Sequence, residues 1–565
     1  MVDSPTKIYN DYVRANLPNS MSYDTGTDRY DINNHSFFKF KNSNWYYNYI
    51  SKYGYSAFSA YAVNNFEPAL VFDFKGNYFR KIATASTFAA SITHAATTNA
   101  TMVDSDGLLK WRPHNLMTKS NTFDTWSKNA STVIANNATG PYGVANTADT
   151  ITLNGTTSNA YNLAIFAANA GDKVTIALWV RSDTLTTLQV SLNGRTTSAN
   201  NNLGGSVAVT PTWTLVSVEA TVAYNDTGLY FILGNNNSIG PATAGTFEAY
   251  GAHMFRSDLG GMVNNPDTSD SCVPTTSAPV YLSRRGHHIH DGSAWVNEGI
   301  LHESEARTNL LLNSGTLATQ SVTVAAVATT LSFTGTGTVT LSGVSTAGPL
   351  VGTGTGENNR VNLTFTPTAG TLTLTVSGTV TNAQLEAGAT PSSYIPTTTA
   401  TATRAAETLT VPAANLPYNS TNMSIQMDGK MTYADTGVVG EVQQYRWQLD
   451  STNYILSYLR TTGSRTGQPV FSQREFISGY HEVSGGDNTY SAGTNVPFNG
   501  ASRHGSTFVN GAHEGTLLTA STTPTILPAL SSTDLQLGYL FMGTIGQFRM
   551  WDEDITDAGI TEAST

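Results

Sequence analysis

The residues whose types and spacing best suit chemistry are two histidines. His288 and His290 sit in the run His287-His288-Ile289-His290-Asp291. Side chains alternate across an extended chain, so the two imidazoles face one way. Imidazole suits zinc, iron or nickel, and copies repeated around an oligomer axis would complete a transition-metal shell. A solvated polar loop beside Arg284 and Arg285 accounts for the same residues without a metal. A calcium site needs several oxygens converging from loops. Asp267, Asp270, Asn264 and Asn265 form the nearest cluster of that kind. Neither cluster demands a resident ion, and the chain is expected to work without a cofactor.

Glycoside hydrolysis needs two carboxylates at a set separation. Glu441, Asp450, Glu475 and Glu482 are the candidates, with no motif to select among them. Asp552-Glu553-Asp554 reads as a charged strand end. There is no Gly-X-Ser-X-Gly elbow. The single cysteine, Cys272, has no partner for a disulfide or a metal cluster. Gly352-Thr-Gly-Thr-Gly lacks the lysine and helix of a phosphate loop and reads as a turn. No catalytic residue is assigned, and the chain is not expected to be an enzyme. Sugar binding instead asks for exposed aromatic platforms beside polar partners. Trp179, Tyr230, Trp447, Tyr454 and Tyr458 are available, but alternation buries every second strand residue. Sequence alone therefore selects no individual glycan-binding residue.

These side chains must be positioned by strands. Charged residues make up 12% of the chain, against about a quarter in ordinary globular proteins. Small polar and β-branched residues favour strands and turns over helices. Aromatics at 10% supply core material that disordered chains lack. A chain of 565 residues is too long for one core and predicts about three to five domains. The net charge of −11 argues against binding nucleic acid through its phosphates. No apolar run is long enough to span a bilayer, so no membrane insertion is expected. Residues 1–17 show no basic-then-apolar leader pattern, which points to synthesis in the cytoplasm.

Val174, Ile176, Leu178 and Val180 alternate, as do Leu188, Val190 and Leu192 before Asn193-Gly194. Val361-Asn-Leu-Thr-Phe and Thr371-Leu-Thr-Leu-Thr-Val repeat the pattern, punctuated by glycines. Further on, Met423, Ile425 and Met427 alternate, then Tyr445, Trp447 and Leu449, then Tyr454, Leu456 and Tyr458. Short strands between turn residues predict sandwiches. Two stretches also echo one another. His114-Asn-Leu-Met and Arg307-Thr-Asn-Leu-Leu open them, and Val273-Pro-Thr-Thr and Ile395-Pro-Thr-Thr close them. At the start, Ser4-Pro5 and the four-residue spacing of Ile8 with Tyr12 and of Tyr9 with Val13 predict a short helix. An aromatic cluster then runs from Phe37 to Tyr61 and suits either an interface or a small core.

Several phrases carry a resemblance. Val103-Asp-Ser-Asp-Gly-Leu-Leu, Glu305-Ala-Arg-Thr-Asn-Leu-Leu and above all Thr381-Asn-Ala-Gln-Leu-Glu-Ala-Gly-Ala-Thr-Pro-Ser-Ser-Tyr-Ile-Pro-Thr resemble phrases of bacteriophage tail, fibre and head-appendage proteins. There they close jelly rolls similar to carbohydrate-binding modules. Ala501-Ser-Arg-His-Gly-Ser-Thr-Phe-Val-Asn-Gly and Gly543 to Trp551 resemble the concanavalin A-like (laminin-G-like) sandwich. The resemblance covers roughly residues 70–565.

The expected fold is all-β: tandem β-sandwich (jelly-roll) domains behind a short helical and aromatic N-terminal anchor. The divisions read as an anchor or adaptor over 1–112, a first jelly roll over 113–260, a connector over 261–300, a smaller jelly roll over 301–404 and a concanavalin A-like unit over 405–565. The resemblance implies a virion protein, a tail fibre or receptor-binding appendage that contacts host surface glycans. It implies attachment to other virion proteins through the N-terminal region, and a homotrimer. Fibre tips of other families use His-X-His around a threefold axis, which is where a metal on His288 and His290 would belong. Three rivals stand beside this reading: a purely structural head fibre or decoration protein, a polysaccharide depolymerase, and a free secreted carbohydrate-binding protein.

Overall fold

The computed structural model describes residues 60–565, apart from 83, 156, 236–243, 269 and 436–439. The helix expected near the N-terminus, and nearly all of the aromatic cluster after it, lie outside the described residues. The chain divides into two units at residue 68, the second being the compact unit 69–565. The second unit is all-β, with antiparallel sheets throughout.

A first sandwich packs two five-stranded sheets. One runs Thr214–Thr221, Lys173–Arg181, Gly245–Arg256, Ala148–Leu153, Ser131–Ala138. The other runs Leu203–Ala208, Thr187–Gly194, Leu229–Gly234, Asn159–Ala164, Ser127–Asn129. Val174, Ile176, Leu178 and Val180 meet Leu188, Val190 and Leu192 in one buried cluster, as their alternation requires. A second, smaller sandwich packs Gln320–Val324, Gly370–Ser377, Thr338–Gly343 and Leu350–Val351 against Val361–Phe365, Thr329–Gly335 and Val380–Ala387. Leu331, Phe333, Leu372, Leu374 and Leu385 are buried between them.

The two sandwiches share a closing device. Asn115 donates to the carbonyls of Ala252 (3.0 Å) and Val273 (2.8 Å) and accepts from the N–H of Met117 (2.9 Å) and Met254 (3.1 Å). Asn309 does the same with Ala383 (3.0 Å), Ile395 (2.9 Å), Leu311 (3.1 Å) and Leu385 (3.2 Å). Five residues later, Ser120 and Ser314 accept the N–H of Thr275 (2.8 Å) and Thr397 (2.9 Å). Each asparagine thus pins entry strand, last strand and Pro-Thr-Thr exit together. One buried amide satisfies four backbone groups that would otherwise lack partners.

The last sandwich has a seven-stranded sheet, in the order Gly479–Ser484, Pro469–Glu475, Asn453–Arg460, Glu441–Asp450, Leu535–Tyr539, Thr408–Val411, Thr93–Ala95. Its partner sheet is centred on Asn422–Tyr433 and Met542–Trp551. Stretches from within 1–112 and from the end of 261–300 join this sheet. Leu70–Asp73 pairs with Gln547 to Met550, and Ile300–Glu303 pairs with Met542 to Ile545. The outer edge of the Met542–Trp551 strand is thereby covered by chain from two distant stretches, which removes an open edge. Phe72, Phe74, Phe79 and Phe88 complete the core of this sandwich, and Phe72 stacks on Phe548 at 6.1 Å.

Where these parts meet, five charges are buried. Arg284 bridges Glu303 (2.7 Å) and Glu407 (2.7 Å), Arg404 reaches Glu303 (3.0 Å), and Arg112 pairs with Glu407. Glu303 also accepts from the N–H (2.8 Å) and hydroxyl (2.6 Å) of Ser393. Buried charges require such mutual pairing. This network ties the entry to the first sandwich, the connector and both ends of the second.

Candidate functional site

The seven-stranded sheet turns one face into the core and the other outward. Tyr445 and Trp447 point inward and are buried, and the Trp447 indole donates to the Thr533 carbonyl at 2.8 Å. Strand alternation then turns Arg446 and Gln448 outward. Cross-strand pairing aligns the outward residues in rows. One row runs Gln448, Tyr454, Arg474, Tyr480, and the next runs Gln536, Arg446, Leu456, Ser472, Glu482. From these rows Arg446, Gln448, Tyr454, Leu456, Ser472, Arg474 and Tyr480, with Tyr458 and Tyr539, floor an open cleft of about 700 Å³.

The geometry of this face is fixed by contacts among its own residues. The Arg446 guanidinium lies over the Tyr539 ring, 4.5 Å from its centre. Arg474 stands directly across the strand pair from Tyr454. Arg460 pairs with Glu482 at 2.7 Å, while the Tyr458 and Tyr480 hydroxyls meet at 3.1 Å and Tyr480 donates to Glu482. Burial raises the phenols of Tyr454, Tyr458 and Tyr480 above their ordinary value, so each keeps its proton as a donor. Phe476 and Ile477, both 76% exposed, stand at the hairpin tip just before Tyr480. Rings, hydroxyls, amides and guanidinia on one shallow face are the parts a sugar site needs.

The carboxylates weighed for hydrolysis are otherwise engaged. Asp450 closes its own turn on the Thr452 N–H (2.7 Å) and hydroxyl (2.7 Å). Glu475 accepts from the N–H of Ile477 (2.7 Å) and Ser478 (2.8 Å). Glu441 accepts from Gln443 at 2.6 Å, and Glu482 is held by Arg460.

His288 and His290 line a second cleft, of about 450 Å³, with Trp295, Arg360, Asn362 and Tyr394. They lie on one hairpin strand, as their spacing predicts. The His288 Nδ1 sits 2.9 Å from the Gly286 carbonyl, and the His290 Nδ1 accepts the Gly292 N–H at 3.1 Å. His287, which lines the same cleft, accepts the Val103 N–H at 3.1 Å. Among the described residues, no three His, Cys, Asp or Glu side chains are grouped to hold a metal within the chain. In the candidate calcium cluster, Asp267 is held by Arg285 (2.8 Å), and Asp270 by Thr268 (2.7 Å), the Cys272 N–H (2.9 Å) and Tyr142. Asn265 donates to the Cys272 carbonyl at 2.7 Å.

Of the aromatics available for sugar, Tyr454 and Tyr458 lie on the outward face and Trp447 does not. Trp179 packs edge-on to Tyr142 at 6.3 Å, and Tyr230 to Tyr161 at 5.8 Å, on the first sandwich. Sequence reasoning missed Arg446, Arg474, Tyr480 and Tyr539. The alternation of Tyr454, Leu456 and Tyr458 marks one strand of this face, but only the pairing register puts Arg474 beside Tyr454.

No family model matches the chain, and no curated protein does. Solved structures match parts of it. A leech intramolecular trans-sialidase complexed with 2,7-anhydro-Neu5Ac is 15% identical, with a TM-score of 0.22 over 26% of this chain and 23% of that one. The carbohydrate-binding module CBM40 of the Ruminococcus gnavus IT-sialidase, bound to alpha2,3 sialyllactose, is 11% identical, with a TM-score of 0.21 over 26% and 84%. The binding domain of botulinum neurotoxin serotype D is 14% identical, with a TM-score of 0.23 over 27% and 38%. Less than half of the leech and toxin chains is matched. Likeness at this level assigns neither ligand nor activity to the present chain.

Proposed function

We propose that this chain is a glycan-binding, non-catalytic adhesion protein, and that it serves as a receptor-binding appendage of a bacteriophage particle. The observation that carries glycan binding is the outward face of the seven-stranded sheet. There Tyr454, Tyr458, Tyr480 and Tyr539 share a cleft with Arg446, Arg474, Gln443 and Gln448. Tyrosine rings stack on the apolar faces of sugars, and the amides, phenols and guanidinia bond their hydroxyls. A shallow, open face suits a chain of sugars rather than an enclosed metabolite. Binding at one such face is weak, and several copies on one particle raise avidity without new contacts.

The appendage part of the proposal draws its support from the phrases shared with phage fibre and tail proteins, above all Thr381 to Thr397. Two of its members, Ala383 and Ile395, are the carbonyls that Asn309 pins. The phrase is thus part of how the sandwich closes.

The full chain, displayed on a bacterial glycan array, is expected to bind a subset of surface polysaccharides. Tyr454→Ala is expected to lower that affinity by about tenfold or more, since stacked aromatics contribute roughly 1–3 kcal/mol. Equal binding by both proteins removes the site from this face. Cryo-electron microscopy of the particle tests the appendage: copies at the tail tip support it, and copies spread over a capsid lattice overturn it.

A further inference from the structure

We infer that the outward face of the last sandwich selects sugars that carry a carboxylate, uronic-acid residues being the simplest class. This rests on the glycan-binding reading and adds the charge of the ligand.

The cleft is lined by two guanidinia that the protein itself does not neutralise. Arg460, beside them, is paired with Glu482 at 2.7 Å. Arg446 and Arg474 have no carboxylate within 4.0 Å among the described residues. Their neighbours are rings: Arg446 lies over Tyr539, and Arg474 stands directly across the strand pair from Tyr454. The face carries Arg446, Arg460 and Arg474 against Glu441 and Glu482, an excess of one positive charge on a chain whose net charge is −11.

The register sets the spacing. Arg446 and Arg474 stand two strands apart, with Leu456 and Tyr454 on the strand between them. Two strand spacings are roughly 10 Å. A pyranose stacked on the central strand therefore has a guanidinium on either flank. Guanidinium is planar, permanently charged and forked, and it matches a carboxylate in a bidentate pair. Stacking on a ring leaves the fork's edge free and fixes its plane. Hydroxyls alone would not require two uncompensated arginines.

The experiment uses the full chain against a panel of uronic-acid-containing capsular polysaccharides. Each is paired with its carboxyl-reduced form, in which the acid has become a primary alcohol. Binding to at least one native polysaccharide is expected, weakened by about tenfold or more on reduction, since a hydrogen bond to a charged group contributes roughly 1.5–3 kcal/mol. Affinity for the native form is expected to fall with added salt. Arg446→Gln with Arg474→Gln is expected to lower native binding to the level of the reduced form, with its unfolding transition unchanged. Arg474→Lys retains charge without the fork and is expected to fall between. Equal binding of native and reduced forms overturns the carboxylate inference and leaves glycan binding standing. Binding of neither form by the folded chain overturns both.

Discussion

Glu303→Gln isolates the buried charge network. Glu303 receives Arg284 at 2.7 Å, Arg404 at 3.0 Å and two hydrogen bonds from Ser393. All five charged residues of the network are buried. The substitution leaves Glu407, paired with Arg112 and Arg284, as the one carboxylate of the network, and takes from Arg404 its carboxylate partner. Removing one partner from a buried pair costs about 3–5 kcal/mol, mostly through the charge left unpaired. Burial alone would raise the Glu303 carboxyl, but Arg404, Arg284 and Ser393 outweigh it and hold it well below the ordinary value. A lowered carboxylate stabilises the fold above its unfolded value of 4.5 and loses that contribution as pH falls below it. The assay is urea unfolding of both proteins at pH 7 and pH 4, followed by tryptophan fluorescence. At pH 7 the variant is expected to unfold at clearly lower urea, with the gap narrowing at pH 4. Adding Arg404→Met to Glu303→Gln is expected to recover part of the loss, because it removes the orphaned charge. A loss under about 1 kcal/mol, or one that Arg404→Met deepens in full additivity, would refute a network in which each charge depends on the others.

Three further outcomes follow from the fold. Burial lowers His114, His287 and His504 to about 3, and His253 and His302 to about 4. The unfolded chain takes up these protons near 6.5 and the fold does not, so stability should fall as pH drops from 6.5 toward 4, by up to about 1.4 kcal/mol per pH unit for each histidine. Histidine NMR showing these rings protonated at pH 5 in the folded chain would contradict this. Asn309→Ala strands four backbone groups and is expected to cost roughly 2–4 kcal/mol, read as earlier thermal unfolding; Thr308→Ala, at a half-buried neighbour that loses one hydroxyl contact with Thr403, should cost less. Burial, reinforced by Asp270, pushes the Cys272 thiol up to about 12. It is expected to resist a thiol reagent at pH 8 in the native chain and to react fully in denaturant, and prompt native labelling would show the site open.

The sandwiches were legible because strand alternation is local. Val174 to Val180, and Thr371 to Val376, announce their buried faces residue by residue. The paired openings at Asn115 and Asn309 and the paired Pro-Thr-Thr exits announced a repeated unit. What stayed hidden depends on long-range pairing. Nothing near Leu70 or Ile300 signals that each covers part of the edge of the Met542–Trp551 strand. The buried network joins Arg112 to Glu407 across the whole first and second sandwiches, and no spacing rule reaches so far. The site shows both sides of this. The alternation of Tyr454 and Tyr458 put two of its rings on one strand face, whereas the arginines beside them are placed by cross-strand register. His288 and His290 lie on one hairpin strand and line a cleft within the chain.

The central claim is that sugar binds the tyrosine and arginine face of the last sandwich. The most direct measurement is a crystal structure of the full chain with an oligosaccharide from the polysaccharide it binds best. The account predicts a sugar ring on Tyr454 or Tyr458, within hydrogen-bonding distance of Arg446 or Arg474. Sugar seated instead in the cleft of His288, His290 and Trp295, with the sheet face empty, would contradict it.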